Sequence, residues 1–375
     1  MNILGGLELK NEGRLLNRRN ALKLATAGTA TALAAPAIAQ SQPALKWRLA
    51  SSFPKNLVGL TAAADTFIKR VGEATDHQFQ IQYFAPGEIT PALQTLDATQ
   101  NGTIECTHTG AYYYIGKDPA FAFATNVPFG LNARQQDAWL FEGGGNDVLK
   151  PLFDQFNVVH FPFGSTGAQM GGFFRKPINT PADLNGLKLR IGGLGGQVLQ
   201  KLGVVPQQLA GGEVYPALER GTIDAAEFTS PMDDEKLGLG KVAKYYYYPG
   251  FWDYGAPTNL FINKQKYEEL PASYKAIVSC ASAEASRAML MKYDSGNTEP
   301  MRRMMAAGME LKPFSREIMD AAYKASQELY DELSAKSAHF KRVYDNWSKF
   351  RTEAHLWFSI NETRMDLFMQ SALHR

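Results

Sequence analysis

Two segments of the chain repeat one short pattern, and this repeat limits the fold more than any other feature of the sequence. Residues 87–93 (GEITPAL) precede residues 102–105 (GTIE), and residues 212–218 (GEVYPAL) precede residues 221–224 (GTID). In each copy the pattern predicts a proline near a helix start, a glycine at the helix end, and Thr-Ile opening the next strand. The sequence therefore predicts one α/β unit built twice, in two lobes.

Alternation and helical spacing elsewhere predict the same class. Residues 45–51 and 79–84 alternate apolar and polar side chains, and residues 60–71 between them have apolar residues at helical spacing. This order predicts βαβ units on a largely parallel sheet. After Pro271 the spacing is helical, over residues 274–293, 317–333 and 340–369.

Polar side chains follow two predicted strands where each strand ends. Residues 104–109 lead into a run of three tyrosines, and residues 223–227 end on Glu227. Open α/β sheets bind ligands beyond the carboxyl ends of their strands, so both ends are expected to face one cleft. A carboxylate there needs a partner, which Na⁺ or Ca²⁺ could be. Gln169, flanked by glycines, is a candidate oxygen donor; surface or capping roles for Gln169 and Glu227 are the alternative.

A glycine-rich stretch, residues 186–203 (GLKLRIGGLGGQVLQKLG), has two interpretations. Glycines between a strand and a helix can cradle a nucleotide phosphate, but no register satisfies GxGxxG, because Val198 takes the place of the third glycine. The glycines are therefore predicted to allow tight turns and close helix packing, which lets Arg190 project into the cleft.

An acidic run, residues 233–235, could be a metal-binding cluster or the first turn of a helix. The second interpretation is favoured, because Ser230 can cap a helix, Pro231 suits its first position, and Asp233 would close a capping box. The six histidines have no metal-ligand spacing, and HExxH, GxSxG and P-loop motifs are absent from the sequence, so no enzyme is expected. Cys106 and Cys280 are predicted to be buried free thiols, a single disulfide being the alternative.

The first 39 residues have the features of an export signal. An arginine pair, Arg18 and Arg19, precedes an apolar run too short to span a bilayer, and Ala37-Ile38-Ala39 suits a signal peptidase. A twin-arginine signal cleaved after Ala39 is predicted; a retained membrane anchor is the alternative. The segment has five basic and two acidic residues, so its loss takes the formal charge from +2 to about −1. Nucleic acid is therefore not an expected partner.

Several segments together resemble a known family. They are WRLASSFP (47–54), MGGFFRK (170–176), LKLRIGG (187–193), LGVVPQQ (202–208), DDEKLG (233–238) and YYYYPG (245–250). The chain from about residue 45 onward is similar to the DctP-like periplasmic solute receptors of tripartite ATP-independent (TRAP) transporters, nearest to the subgroup that binds 2-oxo acids such as pyruvate. The resemblance implies an α/β two-lobe periplasmic binding protein fold with crossing strands, a long connecting helix and a helical C-terminus.

The resemblance also implies site residues. In the family an arginine at this position, here Arg190, forms a salt bridge with the ligand carboxylate. The planar guanidinium group can donate two parallel hydrogen bonds to a carboxylate. In the subgroup a cation lies beside the ligand, held by residues that correspond to Gln169, Glu227 and the carbonyl of Phe228. Na⁺ is expected, with Ca²⁺ as the alternative.

Three further residues carry over with less specific roles. Two tyrosine hydroxyls contact the ligand in the subgroup, which points to Tyr112 and Tyr113. Close relatives have tryptophan at Phe228 and glutamate at Asp253. Asp253 is expected either to contact the cation or ligand or to have a structural role.

The resemblance divides the chain into a signal peptide (1–39), lobe I (40–163 and 254–290), lobe II (164–253 and 291–335) and a C-terminal helical extension (336–375). The large apolar residues of this extension indicate either a packed helix or a homodimer interface. The resemblance implies a periplasmic receptor that closes about hinges near Phe163 and Tyr254 and delivers a 2-oxo monocarboxylate to the large and small permease subunits. Three alternatives remain: a lactate or 2-hydroxy acid receptor with Ca²⁺, a receptor that presents its ligand to a sensor, and a periplasmic lyase or hydrolase acting on a sugar acid.

Overall fold

The computed structural model describes residues 43–373, and the expected signal peptide and its cleavage site lie outside them. The strands in this range are β1 (Leu45–Ser51), β2 (Phe79–Phe84), β3 (Cys106–Thr109), β4 (Val158–Ser165), β5 (Gly172–Phe174), β6 (Lys188–Arg190), β7 (Val205–Gln207), β8 (Ala225–Ala226), β9 (Tyr245–Tyr248), β10 (Pro257–Asn263) and β11 (Glu310–Pro313).

The α-helices in the same range are α1 (Val58–Ala74), α2 (Thr95–Gln100), α3 (Ala133–Phe141), α4 (Gly145–Gln155), α5 (Gly193–Lys201), α6 (Gly211–Glu219), α7 (Pro231–Leu237), α8 (Lys264–Glu268), α9 (Ala272–Gly296), α10 (Thr298–Ala306), α11 (Arg316–Lys336), α12 (Ala338–Ile360) and α13 (Glu362–Leu373). Across residues 43–373, every helix is too short or too polar to cross a membrane.

The strands form two sheets, and the chain passes between them three times: after β4, after β9 and after β10. The first sheet has the order β2-β1-β3-β10-β4, and the second has the order β11-β9-β5-β8-β6-β7. The α/β class is confirmed, and both sheets are mixed: apart from one reversed strand in each sheet, the strands run in the same direction. β10 runs antiparallel to β3 and β4, and β5 runs antiparallel to β8 and β9. These are the strands that follow the first two passages, and each enters its sheet against the direction of its neighbours.

The long helix α9 links the two halves. One face of it, including Val278, Ala285 and Met289, is fully buried and packs against α1 and β4 of the first sheet. Its C-terminal end leads into α10, which packs against α7 beside the second sheet. The expected long connecting helix is therefore present.

The repeated sequence pattern corresponds to structure only in part. Gly102 and Gly221 have φ of 72° and 75°, a conformation that favours glycine, and β3 and β8 begin shortly after them. Pro91 precedes a short 3₁₀ turn as expected, whereas Pro216 lies inside α6 rather than at its start. Both cysteines are free, but Cys280 is exposed rather than buried.

The C-terminal segment is helical, as predicted, but it forms two helices. Asn361 interrupts it, with φ −107° and ψ −80°. The first half of α12 belongs to the core, because Phe340, Val343 and Trp347 are buried. The later part leaves large apolar side chains exposed: Leu356, Trp357, Ile360, Met365, Leu367, Phe368, Met369 and Leu373.

Candidate functional site

Arg190 is the last residue of β6 and lies between the two neighbouring strands β7 and β8. The chain then turns through Gly192 and Gly193 into α5. A Cβ at Gly192 would lie 2.3 Å from Cε2 of Tyr112, and Gly193 has φ 62°. The glycines thus allow the close approach of this loop to Tyr112.

The guanidinium of Arg190 is fully buried and partly paired. Its Nη1 donates to Oε2 of Glu227 at 2.9 Å and to the Glu227 carbonyl at 2.5 Å, and Nε donates to the Leu209 carbonyl at 3.2 Å. Nη2 is buried without a hydrogen-bond partner among residues 43–373. Burial lowers the pKa of Arg190, but the Glu227 carboxylate and the nearby tyrosines outweigh it, so the pKa is raised. A buried cation with one idle donor is suited to an anion.

Three oxygen atoms face one another beside this arginine. Nε2 of Gln169 donates to Thr166 Oγ1 at 3.0 Å, which leaves Oε1 at 2.9 Å from Oε1 of Glu227 and 3.2 Å from the Phe228 carbonyl oxygen. If the Gln169 amide were turned by 180°, its nitrogen would donate hydrogen bonds to the other two oxygens. In the orientation described above, a cation bound among the three oxygens would satisfy all of them. Amide, carboxylate and carbonyl oxygens are the ligands that Na⁺ and Ca²⁺ take. The donor set therefore fits the expected cation.

Charge is concentrated around this set. Burial raises the pKa of Glu227 to about 7, against the opposing effect of Arg190. Burial and the charge of Glu227 raise the pKa of Asp253 well above its usual range. The Asp253 carbonyl accepts from the backbone N–H of Gln169 at 3.1 Å. Two carboxyl groups thus lie close to one guanidinium, and the predicted residue Asp253 belongs to the same cluster.

The tyrosine run after β3 divides between the cavity and the lobe core. Tyr112 and Tyr113 are buried with ring centroids 4.7 Å apart, and both line a small cavity of about 10 Å³. Tyr114 does not, because its hydroxyl contacts Thr95 at 2.9 Å and Thr109 at 3.1 Å. Burial raises the pKa of Tyr113, and the charge of Arg190 opposes this rise.

The cavity brings together residues from both sheets. Gln169 and Phe228 line it opposite the two tyrosines, and the Phe228 ring lies 5.0 Å from the Arg190 guanidinium carbon. Sequence reasoning missed four threonines that also line it, because isolated threonines carry no distinctive pattern. They are Thr125, Thr166, Thr229 and Thr258.

The acidic run lies in α7, with Asp233 and Asp234 in its first turn as predicted, but the predicted capping box is absent there. Pro231 is the first residue of α7 as expected, but the Ser230 side chain makes no capping hydrogen bond, so the capping box is wrong. Asp233 instead accepts from the backbone of α1, and Asp234 accepts from the backbone N–H of Thr229 at 3.0 Å. Within residues 43–373, no group of three histidine, cysteine, aspartate or glutamate side chains could hold a metal ion.

Comparison with known proteins identifies the family. Residues 51–337 match the profile of the bacterial extracellular solute-binding proteins, family 7. A Nostoc sp. protein named monocarboxylate 2-oxoacid-binding periplasmic protein is 48% identical over 364 residues, which are 95% of this chain and 100% of that protein.

Two solved structures have the same fold. A TRAP transporter solute-binding protein from Bordetella bronchiseptica, a mixed-occupancy dimer with copurified calcium and picolinate, has a TM-score of 0.88 and 47% identity, over 89% of this chain and 99% of that one. Another from Pseudoalteromonas atlantica, with bound sodium and pyruvate, has a TM-score of 0.83 and 33% identity, over 85% and 98%. This chain therefore belongs to the bacterial extracellular solute-binding protein family 7, the solute-binding proteins of TRAP transporters.

Proposed function

We propose that this protein is the receptor of a TRAP transporter that binds a small 2-oxo monocarboxylate such as pyruvate together with one cation. One observation carries the proposal: the buried, unpartnered Nη2 of Arg190 lies in the same site as the three facing oxygens of Gln169, Glu227 and Phe228. A carboxylate with an oxygen on the adjacent carbon matches both features. The picolinate and pyruvate of the related structures support this class of ligand.

Each binding residue has a separate role in this proposal. Nη2 of Arg190 donates to the ligand carboxylate, and the hydroxyls of Tyr112 and Tyr113 hold the ligand from the opposite lobe. The Phe228 ring covers the guanidinium and limits the space for the ligand's tail. The protein binds and releases the acid without chemical change.

The cation is proposed to lie among Gln169, Glu227 and the Phe228 carbonyl, with Asp253 nearby. When bound, it supplies positive charge that the carboxylate and the 2-oxygen of the ligand chelate together. Without the cation, the ligand carboxylate would lie beside the buried Glu227 carboxyl group with Arg190 as its cationic partner, in a site where desolvation makes an unbalanced charge costly. Na⁺ is the proposed ion, and Ca²⁺ is the alternative.

The ligand class is testable by titration calorimetry with sodium present. Pyruvate is expected to bind at least about 10-fold more tightly than propionate, because propionate keeps the carboxylate but lacks the 2-oxygen. Lactate and 2-oxobutyrate extend the series to a 2-hydroxy acid and a longer tail. Equal affinity for pyruvate and propionate would exclude chelation, and turnover of any bound acid would favour an enzyme instead.

Lobe closure is proposed to occur about two of the passages between the sheets, the one after β4 and the one before β10. Lobe I would comprise residues 40–163 and 254–290, and lobe II residues 164–253 and 291–335. Phe163, near the end of β4, and Tyr254, exposed before β10, are the proposed hinge positions. Genes for a large and a small permease subunit beside this gene would support delivery to a permease rather than to a sensor.

Residues 1–39 are proposed to direct export to the periplasm by the twin-arginine route, with cleavage after Ala39. The arginine pair and the Ala-Ile-Ala sequence support this route. The family is extracytoplasmic, in agreement with a cleaved export signal.

The exposed apolar side chains of α12 and α13 are proposed to form a homodimer interface within residues 336–375. Trp357 is 59% exposed and Phe368 is 63% exposed, which is unusual for such large apolar groups on a monomer. The dimer of the Bordetella relative supports the proposal.

Trp357→Glu combined with Phe368→Glu is expected to yield a monomer, because two charges would be desolvated in the interface. Light scattering would measure the mass, and pyruvate titration would show that the monomer is folded. A double variant that remains dimeric would contradict an interface on these helices.

A further inference from the structure

The helix α1 has no cap of its own. Its N-cap position is Leu57, whose side chain cannot accept a hydrogen bond, and it makes no capping contact. The N–H groups of Gly59 and Leu60 donate instead to the Asp233 carboxylate, at 3.1 Å and 3.0 Å. These are the second and third N–H groups of the helix, the ones that a capping side chain normally satisfies.

This cap comes from the other half of the molecule. α1 packs on the first sheet, whereas Asp233 lies in α7 and is fully buried. The Tyr293 hydroxyl near the end of α9 donates to Oδ2 of Asp233 at 2.5 Å. A Cβ at Gly59 would lie 2.7 Å from that oxygen, so only glycine permits the approach. One carboxylate thus joins α1, α7 and α9.

Asp234, the next residue in the same turn of α7, contacts the loop that leads to the ligand site. Asp234 accepts from the N–H of Thr229 at 3.0 Å and from the Tyr246 hydroxyl at 2.6 Å. Thr229 directly follows Phe228, whose carbonyl faces Gln169. The loop that contributes the proposed cation ligands therefore leads within five residues to the carboxylate that caps α1.

We propose that Asp233 is a cross-lobe cap that stabilises the closed form and so sets how tightly and how long the ligand is held. The inference rests on the proposed binding function and adds an affinity-determining residue outside the ligand cavity. Opening the lobes separates Asp233 from Gly59 and Leu60, and the closed form alone gains these charge-assisted bonds. A contribution limited to the closed form acts on the dissociation of the ligand more than on its association.

Asp233→Ala, which removes both capping oxygens, is the variant that tests the cap, with pyruvate and sodium as the probe. The expected result is a Kd about 10- to 100-fold higher than for wild type, mostly from faster dissociation in stopped-flow measurements. Glu235→Ala is the matched control: it removes a carboxylate from the same helix, but Glu235 accepts hydrogen bonds from exposed Arg303 on α10, whereas Asp233 accepts them from the backbone of α1. The control is expected to bind like wild type.

Tyr293→Phe is a milder second variant, to be used if Asp233→Ala does not fold. It removes one donor to the carboxylate and is expected to raise Kd about 3- to 10-fold. Wild-type Kd and dissociation rate in either folded variant would overturn the cap while leaving the proposed function intact. If wild type does not bind pyruvate, the proposed ligand is wrong. The cap is then tested by hydrogen exchange of the Gly59 and Leu60 amides, and equal protection in wild type and variant overturns it.

Discussion

Arg190→Ala is expected to weaken pyruvate binding by about 1,000-fold or more. The guanidinium is fully buried, and its free Nη2 is the donor proposed to meet the ligand carboxylate, so its loss leaves a desolvated anion without a partner. Arg190→Lys should recover little, because an ammonium group cannot reproduce the fork that holds Glu227, Leu209 and the ligand at once.

The same substitution is expected to destabilise the ligand-free protein. Arg190 and Glu227 are 0% and 1% exposed, and removing one partner of a buried ion pair costs about 3–5 kcal/mol of unfolding free energy. Thermal denaturation should therefore accompany the titration, so that lost binding is measured on folded protein.

Arg303→Ala is the matched control for this prediction. Arg303 also forms a two-nitrogen pair with a carboxylate, Glu235, but it is exposed, so little change in stability or affinity is expected. Pyruvate binding of wild-type strength in folded Arg190→Ala would exclude the proposed carboxylate contact.

The parts of the fold and site that sequence reasoning found are those encoded locally. Glu227 stands at the end of a short apolar strand, and Gln169 stands between glycines, so both could be recognised from their neighbours in the chain. The strand at 79–84 and the helix ends at Gly102 and Gly221 follow from local alternation and from glycine's conformational freedom. The role of Arg190 came from the family resemblance, and its burial agrees with that role.

The parts that sequence reasoning missed depend on distant contacts or on direction. An alternating pattern does not state which way a strand runs, so the antiparallel entry of β5 and β10 was not predictable. Ser230 and Asp233 have the spacing of a capping box, but Asp233 caps a helix 174 residues away in the chain, at Gly59. Helical spacing continues on both sides of Asn361, so the break there had no signal.

Glu227→Gln is expected to weaken pyruvate binding by about 100-fold or more and to remove its dependence on the cation. The carboxylate is the one charged oxygen donor among the three facing oxygens, so its loss takes away most of the electrostatic attraction for Na⁺ or Ca²⁺. For wild type, pyruvate binding should be measured with sodium replaced by choline and, separately, with a calcium chelator added. The treatment that weakens binding identifies the required ion. Elemental analysis of the purified protein would measure bound calcium independently of the ligand.

The change in cation dependence separates this role from a general loss of affinity. Glu227 also pairs with Arg190, so its substitution could weaken pyruvate binding merely by disturbing the arginine. Loss of a cation ligand, in contrast, must also change how binding responds to sodium or to the chelator. Glu105→Gln is the control, because Glu105 pairs with Arg48 outside the cavity and should leave the cation response as in wild type. If Glu227→Gln kept the wild-type cation dependence at a weaker Kd, the three oxygens would be hydrogen-bonded through a turned Gln169 amide, and the cation would have to bind elsewhere.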